Sequence, residues 1–447
     1  MTAPALSKRV NGYRGIWYAL GCEFEHGDKY TGGLGTYTAN HQPTAVHAPA
    51  VNKTFFVYGG APAAEERQLM VMVSYYDHAA HRVPRPTTVH VDPGVEDPHD
   101  NAAIQLDAAG YVWIFKSGRN ISRRGYIYKS ELPYSIARFE LIWRGAITYP
   151  QAWHDPERGF LLLHTQYTRG RELYFKTSPN GGEWSEPRKL AGFDGHYQVS
   201  AARGRKVATF FNWHPGGDND RRTNVYYAQT EDHGETWTTV DGRPLAVPLV
   251  SADNDARVVD LEGQSRYVYT CDLNFDQYGH PILLYIVSRS GEPGPQGNPR
   301  EWTLLHWTGT EWVCRVVAHS DHNYDMGSLH VDGATWRVVG PTETGAQPLA
   351  TGGEIAQWVS LDEGRTWRIE NLATRNSTYN HSYARRVIGA AEPFFTFWAD
   401  GHAHQISPSR LYFTNADASR VWRLPYEMAA DFATPEEVTP GLTVSAH

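Results

Sequence analysis

The sequence predicts an all-β chain folded as a single seven-bladed β-propeller, a ring of small antiparallel sheets. Three observations carry that prediction. An eight-residue pattern, Ser/Thr-x-Asp-x-Gly-x-x-Trp, occurs twice intact: Thr230, Asp232, Gly234 and Trp237, then Ser360, Asp362, Gly364 and Trp367. Short runs rich in β-branched and aromatic residues recur along the chain, separated by turn residues. Composition suits many short strands, with 41 Gly, 27 Pro, 15 Trp, 26 Tyr and 16 Phe against 5 Met.

In the repeated pattern Asp bonds nearby backbone, Gly takes a conformation that other residues avoid, and Trp packs between neighbouring sheets. The spacing resembles the Asp-box turn of β-propellers. A decayed copy, TSPNGGEW, keeps Thr177, Gly181 and Trp184 but has Pro179 where Asp is expected. Strands are expected at 52–60, 68–76, 111–118, 159–167, 171–178, 206–214 and 223–230, then at 266–275, 280–288, 335–342, 354–361 and 393–401. Helical patterns are nearly absent. The stretch SGEPGPQGNPREW reads as loop, and the tail 434–447 as poorly ordered. Seven blades leave about 64 of the 447 residues to each, enough for four strands, although length alone also admits six or eight. No linker divides the chain, so 1–447 reads as one domain. Its ring is expected to close by pairing 10–18 with 410–416.

The net charge of -8 argues against a nucleic-acid surface, which would cluster basic residues. No apolar run approaches membrane-spanning length. Cys22, Cys271 and Cys314 are too few and too scattered for a disulfide framework or a zinc spacing. The start, MTAPALSKRVNGYRG, lacks an apolar signal core, so a cytoplasmic location is expected unless the chain was trimmed.

Twenty-one His residues are many for this length. The DPHDN cluster places His99, Asp100 and Asn101 at a turn before a strand, and SYYDH adds Asp77 and His78. His is the side chain best suited to proton transfer near neutral pH. GHYQVS contributes His196, Tyr197 and Gln198, and a neighbouring Arg or His would lower the pKa of such a Tyr. RRTNVYY contributes Arg222, a fork that matches a carboxylate, and Asn224. Asp321, His322, Asn323 and Asp325 gather hard donors that suit a cation such as calcium, without matching a defined calcium loop. NHSYARR adds His381 and Arg385. No GxSxG elbow, P-loop, Rossmann fingerprint or HExxH sequence is present.

The runs NGYRGIWY, KYTGGLGTYTANHQPTAVH and VNKTFFVYGG, with SYYDH, VPRPT, DPHDNAA, GHYQVS, RTNVYY, NYDMGS, GGE and WADGH, span residues 11–415. Together they resemble the β-propeller family that acts on L-rhamnose-α-1,4-D-glucuronate caps of gum-arabic-type arabinogalactan. Members are described both as lyases and as α-L-rhamnosidases, and the family is similar to the ulvan lyases. The resemblance implies a seven-bladed propeller with a pocket on one face, His99 as leading catalytic residue with His78 beside it, and a calcium ion near the ring centre. The hydrolase version implies a single catalytic His on the opposite face, at a position matching His41.

Chemistry favours elimination. Glycosidases normally place two carboxylates across the bond, and no such pair stands near His99 in the motifs. Elimination needs a group that neutralises the uronate carboxylate, a base for the C5 proton and an acid for the leaving oxygen. Arg222, Asn101 or calcium suits the first role, and His99 and Tyr197 suit the others, with His78 behind them. Asn101, His196, Gln198, Asn224, Gln151 and His381 are expected sugar contacts. The expected activity is removal of terminal L-rhamnose from glucuronate by β-elimination. The expected substrate is an anionic oligosaccharide or polysaccharide, and calcium is the one cofactor considered. A hydrolytic α-L-rhamnosidase and a non-catalytic carbohydrate-binding propeller are the alternatives.

Overall fold

The repeated pattern builds the turn between the third and fourth strands of three different sheets. At Ser360 the hydroxyl donates to Asp362 at 2.7 Å and accepts the Gly364 amide at 2.8 Å. Asp362 also accepts the amide and hydroxyl of Thr366 at 2.9 and 2.7 Å. Thr230, Asp232, Gly234 and Thr236 repeat these bonds. Gly364 lies at φ +80°, and a Cβ there would stand 2.6 Å from the Trp336 ring, so only Gly fits. Trp237 is buried against Phe175 of the preceding sheet, with ring centroids 5.2 Å apart. In the decayed copy Asn180 takes the acidic residue's part and accepts the amides of Gly182 and Glu183.

A computed structural model describes residues 7–64, 66–91 and 97–438. The chain is all-β, with short 3-10 turns as its helical elements among these residues. Five four-stranded antiparallel meanders follow one another from Ala102 to Leu372. A ten-stranded sheet contains two further meanders, one from the N-terminal part of the chain and one from the C-terminal part. They are joined by a parallel bridge between Val46 and Ile388. The first strands are Ala45–Ala48, Ala102–Leu106, Thr148–Asp155, Gln198–Arg203, Tyr267–Phe275, Ser328–Asp332 and Asn380–Ala391. Each lies beside the next in that order, and the last lies beside the first. Between the sheets sit layers of apolar side chains, for example Leu163, Phe175, Val199, Phe210 and Trp237.

All twelve expected strands are present, and 159–167, 171–178 and 223–230 match residue for residue. Three expectations need correction. Residues 10–18 do not pair with 410–416. Gly15–Trp17 pairs with Ser407–Ser409, while Leu411–Thr414 stays within its own meander, between Phe394–Gly401 and Val421–Arg423. Part of the tail is a strand: Glu436–Val438 pairs with Val421–Arg423 and is pinned by Arg420 and Arg423, and 439–447 lie outside the described residues. Arg300–Trp302, expected as loop, opens the strand Arg300–Trp307.

Residues 31–43 run inward from this closure. Gly32 lies against the rings of Tyr383 and Tyr37, with no space for a Cβ. Arg385 donates to the carbonyls of Thr36, Thr38, Ala39 and His41, which fixes the segment as a floor inside the ring.

Candidate active site

The DPHDN motif folds as a 3-10 turn, Pro98–Asp100, capped by Asp97, which accepts the His99 amide at 3.1 Å. The same Asp97 oxygen lies 2.7 Å from His99 Nδ1. Asp97 is also bonded by Arg119 at 3.0 Å and Arg123 at 2.7 Å. Burial would raise the Asp97 pKa, but the bond to His99 and the charge of Arg119 hold the carboxyl well below its usual range. An ionised Asp97 only accepts, so the proton sits on Nδ1 and His99 Nε2 offers a lone pair. Burial, then Arg119, push the His99 pKa below its ordinary value, which keeps the ring neutral at pH 7.

His99 lines a small cavity with Tyr37, Asn40, Tyr149, Tyr197, Arg222 and Tyr324 among its walls. His99 Nε2 stands 3.5 Å from the Tyr37 hydroxyl. The Tyr149 ring lies between the other two groups, with its centroid 5.9 Å from His99 and 5.6 Å from Tyr197. Arg222 is buried, and its guanidinium lies 4.4, 4.9 and 5.3 Å from the rings of Tyr197, Tyr269 and Tyr324. Its Nε donates to the Asn219 carbonyl at 2.8 Å. No carboxylate among the described residues forms an ion pair with Arg222, and none lines the cavity.

Tyr197 differs from its neighbours. Burial raises the phenols of Tyr37, Tyr149, Tyr324 and Tyr383 well above 10. Tyr197 is equally buried, but the charges of Arg171, Arg222 and Arg119 outweigh burial and hold it below 10. A phenol flanked by three guanidiniums gives up its proton more readily than a free Tyr and is suited to acid–base work.

The other expected site residues lie elsewhere. His78 bonds Thr54 at 2.8 Å and the Glu392 carbonyl at 2.7 Å. Thr54 is five residues along one strand from Gly59, which abuts Asn101, so His78 is roughly 17 Å from that end of the sheet. It does not stand beside His99. His41 is not on an opposite face: its Nε2 lies 3.1 Å from the His99 carbonyl, directly behind the catalytic candidate, and burial lowers its pKa to about 3. Asn101 donates to the carbonyls of Leu34 and Tyr37 and so fixes the floor. His196 bonds the Asn212 carbonyl and Phe193 amide, inside the aromatic core. Gln151 spans the Gln198 carbonyl and Ser200, and Gln198 accepts from Thr209. Asn224 accepts the amides of Leu261 and Glu262, and His381 bonds Ser377 and Trp398. These five hold the framework.

In the cluster at 321–325 the hard donors already serve the local framework. Asp321 and Asp325 accept backbone amides of Leu349, His322 and Gly352, and the Arg300 cation bonds Asn323 at 3.0 Å. Arg300 also acts on Asp321 and Asp325 through its charge.

Tyr37, Asn40, Arg119, Tyr149, Arg171 and Tyr324 were not singled out from the sequence. Several lie within motifs that were read, such as TYTANHQP and DHNYDMGS, where the His and Asp drew attention instead.

A family model described as BNR repeat-containing family member matches residues 57–320, more than half of the chain. An ulvan lyase of Alteromonas sp. (strain LOR) is 22% identical over 308 residues, covering 60% of this chain and 61% of that protein. A PL25 ulvan lyase of Pseudoalteromonas sp. (strain PLSV) is 20% identical over 254 residues, covering 48% and 52%. The chain thus spans between about half and three fifths of the length of these curated relatives. A solved PL25 ulvan lyase superposes with a TM-score of 0.71 at 16% identity, over 91% of this chain and 96% of that one. The same values hold for a PL25 ulvan lyase bound to a glucuronate–rhamnose sulfate unit. At this identity the likeness shows a shared fold.

Proposed function

The chain belongs to the BNR repeat-containing family, and within it we propose a seven-bladed propeller that acts as a polysaccharide lyase. Its reaction is removal of terminal L-rhamnose from α-1,4-linked D-glucuronate by β-elimination, leaving a 4,5-unsaturated uronate. One observation carries the reading: among the described residues Arg222 is a buried cation that forms no ion pair, in a cavity with no carboxylate among its lining residues. A buried charge without a counterion costs stability, and an anionic ligand offsets that cost. A uronate carboxylate has the charge and planar shape for a guanidinium fork.

In this reading Arg222 neutralises the uronate and stabilises the enolate-like charge that develops when the C5 proton leaves. His99 Nε2 takes that proton, with Asp97 fixing the tautomer. Tyr197 protonates the rhamnose oxygen as the C4–O bond breaks. C5–H and C4–O lie on one side of glucuronate, so base and acid must approach the sugar from one side, and His99 and Tyr197 line the same cavity. No step needs calcium. The ulvan lyase bound to a glucuronate–rhamnose sulfate unit lends support to a rhamnose–uronate substrate here.

Digestion of a rhamnosyl-glucuronate oligosaccharide in heavy-oxygen water, followed by ultraviolet absorbance and mass spectrometry, tests the proposal. Elimination gives an absorbing uronate with no heavy oxygen in the rhamnose. Saturated glucuronate with heavy oxygen in the cleaved products would overturn it in favour of hydrolysis.

A further inference from the structure

A second cluster lies at the far end of the fifth free-standing sheet's predecessor, the meander from Tyr267 to Ser320. Asp276 opens the turn between its first two strands, His280 closes that turn, and His306 stands opposite on the third strand. Asp276 Oδ1 accepts the amides of Tyr278 and His280 at 2.9 and 2.8 Å, which fixes the carboxylate. Its other oxygen, Oδ2, meets His280 Nδ1 at 3.2 Å and His306 Nε2 at 2.9 Å. The His306 ring is held edge-on against Trp336, with centroids 4.9 Å apart. A cleft opens over both histidines, with Tyr278, Arg315 and Glu363 on its walls.

We propose that Asp276, His280 and His306 form a binding site for a divalent first-row transition cation, with zinc as its natural fit. Two nitrogens and one carboxylate oxygen are the donor set of three-ligand zinc sites. Zinc bonds of about 2.0–2.1 Å in a tetrahedron put ligand atoms roughly 3.3 Å apart, close to the spacing already present. The three ligand atoms lie within 4.8 Å of one another, so binding requires small side-chain adjustments and loss of the protons between them. The backbone bonds to Oδ1 and the Trp336 contact supply the outer support that orients such ligands. The fourth position faces the cleft and is filled by water.

The site is distant from the sugar cavity. Thr270, on the cavity wall, and Asp276 are six residues apart along the first strand and its end, roughly 20 Å. The cation would tie the turn to the third strand of its meander. The same turn touches the next sheet, where Gln277 bonds Glu363 at 2.9 Å.

The test is calorimetric titration of zinc chloride into chelator-washed full-length protein, with Cys22→Ser and Cys314→Ser introduced to remove exposed thiols. One equivalent should bind with a micromolar or tighter Kd. His306→Ala and, separately, His280→Ala should weaken binding by at least about tenfold, the lower limit for losing even a group that only supports a ligand. Cobalt in place of zinc should give the intense visible bands of a tetrahedral centre, and His306→Ala should abolish them. The Tm should rise with zinc in the parent and not in either variant. Absence of saturable binding, or binding unchanged in both variants, would overturn the proposal.

Discussion

Asp362 and Asp97 are both carboxylates at tight turns, yet their partners come from different distances along the chain. Every bond to the Asp362 side chain comes from residues 360–366. Asp97 is held by Arg119 and Arg123, 22 and 26 residues away, and supports a His that faces residues from other sheets. The first turn is complete by itself and serves the sheet. The second is completed only by tertiary contacts, and its surroundings carry an unpaired cation. The turn at Asp362 is satisfied locally, and the turn at Asp97 is built by residues brought from farther along the chain to the edge of the cavity.

Substitutions can break that contrast, and the largest effects should fall in the cavity. Tyr197→Phe and Arg222→Met should each lower turnover by about 10²–10⁴-fold. Arg222→Met should not lower the Tm, because it removes a buried, unpaired charge. A parallel loss of Tm and activity would show Arg222 to be structural.

Asp97→Asn should cost about a hundredfold in kcat/KM through loss of the fixed His99 tautomer. The pH profile sharpens this prediction. His99 must be neutral to act as base, and its lowered pKa puts the acid limb below pH 6.5. Asp97 raises that pKa, so Asp97→Asn should move the limb further toward acid. Tyr197 must be protonated to act as acid, so the alkaline limb should fall below pH 10 and vanish in Tyr197→Phe. Arg171→Leu should return that limb toward 10.

At the repeated turns the effects should be on stability alone. Gly364→Ala places a Cβ against Trp336 at positive φ and should cost about 1–3 kcal/mol in chemical denaturation, with activity per folded molecule unchanged. The smallest effect belongs to Asp362. Its bonds to Thr366 and Ser360 hold its pKa at about 2, so the stability it contributes is present above pH 4 and is lost as pH falls through 2. Asp362→Asn should flatten that part of the Tm–pH curve.

The same contrast explains what could be read from sequence. Strands such as Gly159–Tyr167 and Pro281–Ser288 are buried on both sides and carry continuous apolar runs. Outer strands such as Phe139–Gly145, Arg257–Val259 and Arg368–Leu372 are half-exposed or short and carry no such run, so they went unread. Within the site, His99, Tyr197 and Arg222 stand out in the sequence by their chemistry within DPHDN, GHYQVS and RTNVYY, and the structure brings the three to one cavity. Of His196, Tyr197 and Gln198 only Tyr197 lines the cavity, because hydrogen bonds turn His196 toward Asn212 and Gln198 toward Thr209. Tyr37, Tyr149 and Arg171 gain their meaning only from neighbours that are distant in sequence.

The grip of Arg385 on residues 36–41 sets an order of events during synthesis. The floor segment is made early, and its clamp follows 344 residues after His41. At ordinary elongation rates the delay is on the order of half a minute. Throughout that time the carbonyls of Thr36, Thr38, Ala39 and His41 have no guanidinium to hold them, and Asn101 holds the segment only at Leu34 and Tyr37. The nascent chain can finish several sheets before the floor of the cavity is locked.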